Sequence, residues 1–434
     1  MDYTILNILS LANVVVFVSL ILFTKKERNK FYLQYILLSY PLLSNYALPS
    51  TNTFVLITLI YIIFFHRKSL TTDRRFSFYK IITYILISSI IVGFILNGGA
   101  IDRDKFIYVS QISALLIYSK ILTEELKIDN DFNKKLIQCL KITLSLSFIF
   151  LLIQFIFGPE VSLSRTMNPN IVSIDTIRYP SFLSDPQVYA QFLGMIGFLC
   201  LIKKDDQSRG ISINHILLVF SIFAILMTGS RAGLTGLIIG YLILILFGKS
   251  RYRFTLVFIA AIAFMISYNL KDNLSFFKRS GDINDSYDFR FSIWLDAIEI
   301  FKKYPLFGIG VGNYTKYASI HLPDQYWVVD NEIVFFDHPE SGYLKFLTEF
   351  GLIGFLCFCF LFIVPMIKGI KSYFINNNIS IIIFISSIIC WMVGFYSTFS
   401  FGDIRIAILV VTILCMLIVL NPVENIERKY ELMK

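Results

Sequence analysis

Apolar stretches of membrane-crossing length recur from the first residues of this chain almost to the last, and that recurrence restricts its fold more than any other feature. A bilayer offers no partners for backbone groups, so a crossing segment is either a helix or a strand of a closed barrel. Barrel strands alternate in polarity at every second residue, and these stretches do not. Helical spans are expected at 4–24, 31–48, 52–66, 77–97, 106–123, 136–157, 187–202, 213–229, 232–248, 253–270, 343–367, 379–399 and 405–420, the third being short. Composition agrees: 56% of the 434 residues are hydrophobic, 16% are charged, and the mean hydropathy of +0.69 is too high for a soluble domain. The expected fold is an all-α integral membrane protein, a bundle of about 12–13 transmembrane helices with one large helical loop.

The net charge of +9 does not point to nucleic acid, because the basic residues gather in every second loop. Lys25, Lys26, Arg28 and Lys30 follow the first run; Arg67, Lys68, Arg74 and Arg75 follow the third. Lys134 and Lys135 precede the sixth, Lys203, Lys204 and Arg209 follow the seventh, and Lys249, Arg251 and Arg253 lie around the end of the ninth. With strict alternation these loops share one side, the cytoplasm, and the N-terminus lies outside. The first run has neither a basic leader nor a small-residue cleavage pattern, so it reads as a retained span. Three divisions follow: a bundle over 1–270 with a small outer loop at 158–186, a large outer loop over 271–342, and C-terminal spans over 343–434. All six cysteines sit inside apolar runs, where neither a disulfide framework nor a thiolate metal site is expected.

The large loop carries more acid than base and holds the densest chemistry. Phe291, Trp294, Ile298 and Phe301 recur at helical spacing opposite Ser292, Asp296, Glu299, Lys302 and Lys303, which predicts an amphipathic helix at the membrane surface. Pro305 should end it, and Gly308, Gly310 and Gly312 should permit a tight turn. In Asp337-His338-Pro339-Glu340 the acids three apart resemble a capping box, so a helix is expected to begin at His338 with a neutral imidazole at its N-terminus. Such a ring can accept a proton or merely cap; Glu340 is either its companion or the capping partner. Glu349, three turns deeper, is expected to pair with an arginine, and Gly351 and Gly354 to allow close helix packing.

Polar breaks on the same side supply cations. Thr228-Gly229-Ser230-Arg231-Ala232-Gly233 places Arg231 at a span boundary among small residues, either offering a planar fork to phosphate oxygens or reaching for the interface. In the smaller loop, Arg178 stands near Asp185-Pro186, with which it pairs across a turn or binds a ligand. Arg290 begins the amphipathic helix and has the same two readings, anchor or ligand. There is no P-loop, dinucleotide fingerprint or His-x-x-x-His spacing, and the two long outer loops lack an Asp-x-Asp pair. No metal, cofactor or nucleotide sugar is expected.

Taken in order, Arg290-x-x-x-Trp294-x-x-Ala297, Pro305-Leu306-Phe307-Gly308-Ile309-Gly310 and His338-x-x-x-x-Tyr343-Leu344-x-x-x-x-Glu349-x-Gly351-x-x-Gly354 resemble the O-antigen polymerase and O-antigen ligase superfamily of bacterial inner-membrane proteins. The Ser230-Arg231-Ala232-Gly233 turn and Arg178 with Asp185-Pro186 resemble two further motifs of that family. The pattern departs at Pro339, where many members carry asparagine after the histidine. The resemblance implies a GT-C-like, multi-span glycosyltransferase with its active site facing the periplasm. Its donor is a polyprenyl-pyrophosphate-linked oligosaccharide and its acceptor a sugar hydroxyl. His338 or Glu340 would take the acceptor proton, Arg178, Arg231 and Arg290 would hold the pyrophosphate, and Asp185, Tyr343 and Glu349 would support them. A polymerase is favoured, because the many Ile, Phe, Asn, Lys and Tyr residues suggest a laterally acquired serotype gene. The alternatives are the ligase that delivers the glycan to lipid A core, and a flippase, whose ionisable groups would lie at mid-membrane. Besides the bilayer, a chain-length regulator is a conceivable partner; nucleic acid is not.

Overall fold

The computed structural model describes residues 3–24, 27–66, 77–96, 103–129, 131–164, 172–173, 176–202, 213–248, 275–278, 283–322, 324–329 and 332–420, with scattered helical positions between 253 and 269. The protein is an all-α membrane protein. Helices α1 (Tyr3–Phe23), α4 (Ser77–Leu96), α5 (Arg103–Ile128) and α6 (Phe132–Phe157) are long and apolar enough to cross a bilayer. They turn Ile8, Val15, Ile95, Leu152 and Ile156 outward, which suits a surface facing lipid. The expected tenth span, 253–270, falls largely outside the described residues.

The second expected span is not a full crossing. Helix α2 covers only Arg28–Leu38, and a 3-10 turn (Tyr40–Leu42) and a hairpin of β1 (Tyr46–Leu48) and β2 (Thr51–Asn52) follow it. Pro41 lacks the amide that a continuing helix would need, a limit hydropathy does not register. The third run forms α3 (Thr53–Ile60), extended by a π turn through Phe65, and Asn52 caps it by accepting from the Val55 amide at 2.9 Å.

The centre of the bundle is α7 (Pro186–Leu199), α8 (Ile213–Thr228), α9 (Arg231–Phe247), α13 (Ile379–Phe395) and α14 (Ile404–Val419). Every residue of α7 is buried or nearly so, as its unbroken apolar run requires once neighbours enclose it. The approach of α9 to α13 depends on small residues. A Cβ added at Gly236 would lie 2.5 Å from the Cys390 carbonyl oxygen, and one at Gly240 would meet Phe198 and the Ser386 carbonyl oxygen.

The large loop folds as a small layer of its own, with α10 (Ile283–Lys303), α11 (Tyr314–His321) and the antiparallel hairpin β3 (Tyr326–Val329) with β4 (Glu332–Phe335). The amphipathic helix is present, but its buried face is Ile293, Ala297 and Ile300, packed with Ile309, Tyr314, Ala318 and Phe336. Phe291 and Ile298, from the expected apolar face, remain exposed. The loop thus has a second apolar core beside the aromatic stripe, of which Trp294 packs on Tyr396 at the end of α13.

One buried ion pair closes the bundle. The fully buried Arg405 guanidinium donates to both Asp403 carboxylate oxygens, at 2.8 and 2.6 Å, and to the carbonyls of Pro41 at 3.0 Å and Phe182 at 2.7 Å. Tyr40 returns a bond from its hydroxyl to the Arg405 carbonyl at 2.6 Å. Removing one member of such a pair strands the other in a medium that cannot solvate it. Arg405→Ala should therefore cost about 3–5 kcal/mol of stability, read as early thermal aggregation of the detergent-purified protein, with a smaller loss for Arg405→Leu/Asp403→Leu.

Candidate functional site

The site is built where α12 (Gly342–Asn376), the longest of the spans, begins and then breaks. Its N-cap is Ser341, whose side chain accepts from the Leu344 amide at 3.5 Å. The helix therefore starts four residues later than the expected capping box, and Asp337 and Glu340 do not cap it. Glu340 takes a left-handed conformation, φ 48°, which costs a side chain with a Cβ about 1–2 kcal/mol. That leaves its carboxylate free to leave the helix axis and face α10.

Nine residues into α12, Gly351 has φ +64° and ψ −169°, and the helical bonding is interrupted. The Pro305–Gly312 turn fills the gap. Ile309 and Gly310 donate to the carbonyls of Thr348 at 2.8 Å and Glu349 at 3.0 Å, while Leu352 and Ile353 donate to those of Pro305 at 2.8 Å and Leu306 at 3.3 Å. A Cβ on Gly351 would lie 2.4 Å from the Leu306 carbonyl, and one on Gly308 2.4 Å from that of Thr348. Gly351 thus serves loop docking, not the helix packing expected of it. Glu349 is similarly reassigned. Its partner is Lys345 at 3.4 Å, not an arginine, and its other contact is the Tyr314 amide at the start of α11, 3.2 Å away.

Lys345 was not foreseen. It is 1% exposed, donates to the Asp337 carbonyl at 2.5 Å, and lies over the rings of Phe399 at 4.7 Å and Tyr108 at 5.5 Å. A lysine one turn inside an apolar run was the available signal, since a charge there needs partners or a function. By holding the Asp337 carbonyl it fixes the residue before His338.

The His338 ring meets the Asp337 carboxylate through Nδ1 at 2.5 Å and packs near Phe399, 6.0 Å between ring centres. Its Nε2 is buried and has no hydrogen-bond partner among the described residues. Burial opposes charge on the ring, but the charge and hydrogen bond of Asp337, with Glu340 behind them, outweigh it and raise the imidazole above the ordinary 6.5. Burial likewise pushes the Asp337 carboxyl up, and His338 and Lys345 pull it well below the usual carboxylate range. Because the Asp337 side chain is still 64% accessible, the direct pair governs it more than enclosure does. The neutral imidazole expected at a helix end is thus replaced by a ring that favours its proton.

Arg290 on α10 reaches Glu340 across this turn, with 3.6 Å between Nη2 and Oε2. One helical turn on, Trp294 packs edge-on against Tyr396, 5.1 Å between ring centres, at the end of α13. Tyr343 donates its hydroxyl to the Met392 carbonyl at 2.9 Å and packs on Phe395, tying α12 to α13. Arg231 begins α9 behind the Ser230 cap, whose hydroxyl accepts from Gly233 at 3.1 Å. Steps of four along α9 match steps of four back along α13 in the Gly236 and Gly240 contacts, which sets Arg231 level with Phe395. Arg178 is buried and donates from Nε to the Thr228 carbonyl at 2.8 Å, next to the same turn, and Asp185 caps α7 through the amides of Gln187 and Val188. So Arg290, Glu340 and His338 form one cluster, Arg178 and Arg231 a second, and α13 puts both at the same end of the bundle. Among the described residues no three His, Cys, Asp or Glu side chains gather as a metal site would require.

The class is therefore a multi-pass helical membrane protein with Arg178, Arg231, Arg290 and a histidine whose Nε2 has no partner among the described residues collected at one end. Residues 216–359, from α8 through the first half of α12, match the family model described as O-antigen ligase. That match, over about a third of the chain, supports the resemblance to the O-antigen polymerase and ligase superfamily. No curated protein matches the chain. The matched stretch contains Arg231, Arg290, His338, Glu340, Tyr343 and Glu349, but not Arg178 or Asp185. Gly351→Ala, with its left-handed backbone and displaced loop, should cost about 1–3 kcal/mol and appear as a lower melting temperature of the purified protein.

Proposed function

We propose that this protein is a surface-polysaccharide polymerase, transferring a glycan from a polyprenyl-pyrophosphate carrier to a sugar hydroxyl of a lipid-linked repeat unit. One observation carries the reading: His338 is pinned through Nδ1 and leaves a buried Nε2 without a partner among the described residues, beside the Arg290–Glu340 pair. A ring oriented this way is ready for a substrate atom. A lipid-anchored diphosphate presents its charge at a membrane boundary, where guanidinium groups match its oxygens in paired fashion and stabilise it as it leaves. Arg290, Arg231 and Arg178 fill that role, His338 and Glu340 handle protons, and Asp185, Tyr343 and Glu349 hold the elements in register. The distribution of loop charges supports a periplasmic orientation for this end, at the inner membrane. The basic loops around Arg28 and Lys134 would then face the cytoplasm.

In one displacement the acceptor oxygen bonds to the anomeric carbon as the carbon–oxygen bond to diphosphate breaks, inverting the centre. The bond electrons leave with the diphosphate, and the hydroxyl proton passes to the protein. Placement of the acceptor matters as much as base strength, since the transition state is dissociative.

His338→Ala and Arg231→Ala should each abolish long-chain glycan on a lipopolysaccharide gel at unchanged membrane abundance. Full-length ladders from both variants would refute the reading. In a strain lacking the protein, a single repeat unit on the core is the expected pattern. Bare core with polymer accumulated on the lipid carrier would instead assign the ligase reaction.

A further inference from the structure

We infer that the proton chemistry is divided: His338 works as an imidazolium that donates from Nε2 to the departing diphosphate, and Glu340 is the general base that takes the acceptor proton. This rests on the transferase reading above and goes beyond it by assigning each group one role.

The geometry carries the division. The groups that face the ring come from three elements: Asp337 and Glu340 on the approach to α12, Lys345 and its partner Glu349 on α12 itself, and Arg290 on α10, with Tyr108 of α5 beyond Lys345. Lys345 directs its ammonium at the Asp337 carbonyl and at Glu349, so it compensates those groups and leaves the Asp337 carboxylate to the imidazole. Glu340 adds a second negative charge that favours a proton on the ring. The two carboxylates favour the charged ring, and its Nε2 meets no acceptor among the described residues. An anionic oxygen is the partner it lacks. A diphosphate fits, because the arginines of the same end would bind its other oxygens.

A protonated ring cannot receive the acceptor's proton, so a second group must. Glu340 has a conformation that only glycine adopts at no cost, directly before a capped helix. A glycine there would fold more easily, so the side chain itself is what the position requires. It is 21% exposed, with one oxygen toward Arg290 at 3.6 Å, a loose contact that leaves lone pairs for an incoming hydroxyl. In the balanced step the acceptor oxygen bonds to the anomeric carbon and its proton goes to the Glu340 carboxylate. The carbon–oxygen bond to diphosphate breaks with its electron pair, and the His338 proton hydrogen-bonds to the released oxygen.

The test has two arms, and the first does not depend on activity. The chain contains four histidines, so 15N-imidazole spectra of the full protein in detergent, compared with His338→Gln, identify the His338 signal. It should titrate above 6.5 and move higher when inorganic diphosphate is added; titration at or below 6.5 overturns the inference. The second arm is transfer from a lipid-linked donor as a function of pH. Glu340→Gln should lower kcat by about 100-fold or more with donor KM within about twofold, as loss of a general base does. Glu340→Asn, tolerated by a left-handed backbone, should behave the same and controls for misfolding. His338→Gln should raise donor KM about 10-fold, the scale of one charge-assisted hydrogen bond. Wild-type activity should fall as pH rises through the His338 titration. If activity rises through it and Glu340→Gln keeps its kcat, His338 is the base: the inference fails and the transferase reading stands. If every variant transfers at the wild-type rate, the transferase reading itself fails.

Discussion

The break in α12 at Gly351 is the constraint on which the rest of the site depends. A helix interrupted inside an apolar bundle exposes amides and carbonyls that lipid cannot satisfy, and each would cost several kcal/mol if left alone. The Pro305–Gly312 turn satisfies them through four main-chain bonds, which is possible because the facing positions have no side chains in the way. Main-chain pairing of this kind fixes distance and register together. Since α10 leads directly into that turn, its docking sets where Arg290 lies relative to the residues just before α12. The Arg290–Glu340 contact is thus a result of backbone complementarity between the Pro305–Gly312 turn and the break in α12, not of mutual attraction between two partly exposed charges, which would contribute little.

Two ion pairs in the molecule illustrate different uses of charge. Arg405 and Asp403 are closed on themselves: the guanidinium is fully buried, and its donors have the carboxylate and two carbonyls. Such a pair has no capacity for a ligand. Arg290 and Glu340 are spaced more widely and partly accessible, and beside them is an imidazole nitrogen with nothing to bind. Burial depth alone would rank the first pair as the more suggestive site. Saturation of hydrogen-bonding capacity ranks them the other way, and it is the better guide.

Much of this was legible in the sequence, and the failures have a pattern. Periodicity and punctuation are local properties, and what they predict is present: the long spans, the helix that ends before Pro305, and the turn that its glycines allow. Partner identity is not local. The setting of Glu349 predicts an arginine partner, yet the partner is Lys345 one turn away, a lysine that the surrounding apolar run conceals. The Asp337–Glu340 spacing fits a capping box, yet Ser341 is the better placed cap, and the acids serve His338 and Arg290 instead. The aromatics on α10 stand out in the sequence, but the smaller Ile293, Ala297 and Ile300 form the loop's own core, which no spacing rule announces. In each case the sequence contained the residue but not the surface it would meet. Pro41 is the exception, a local signal that hydropathy overrode.

The Arg405 clamp has an implication for how such chains diversify. Its members, Pro41, Phe182, Asp403 and Arg405, all lie outside residues 216–359, the stretch that matches the family. The seam joining the two termini of the bundle therefore belongs to the scaffold, while Arg231, Arg290, the imidazole and the docked turn lie together in the central stretch. Sequence change within that central stretch can therefore reshape the end of the bundle that holds them while leaving the contacts that close the scaffold intact.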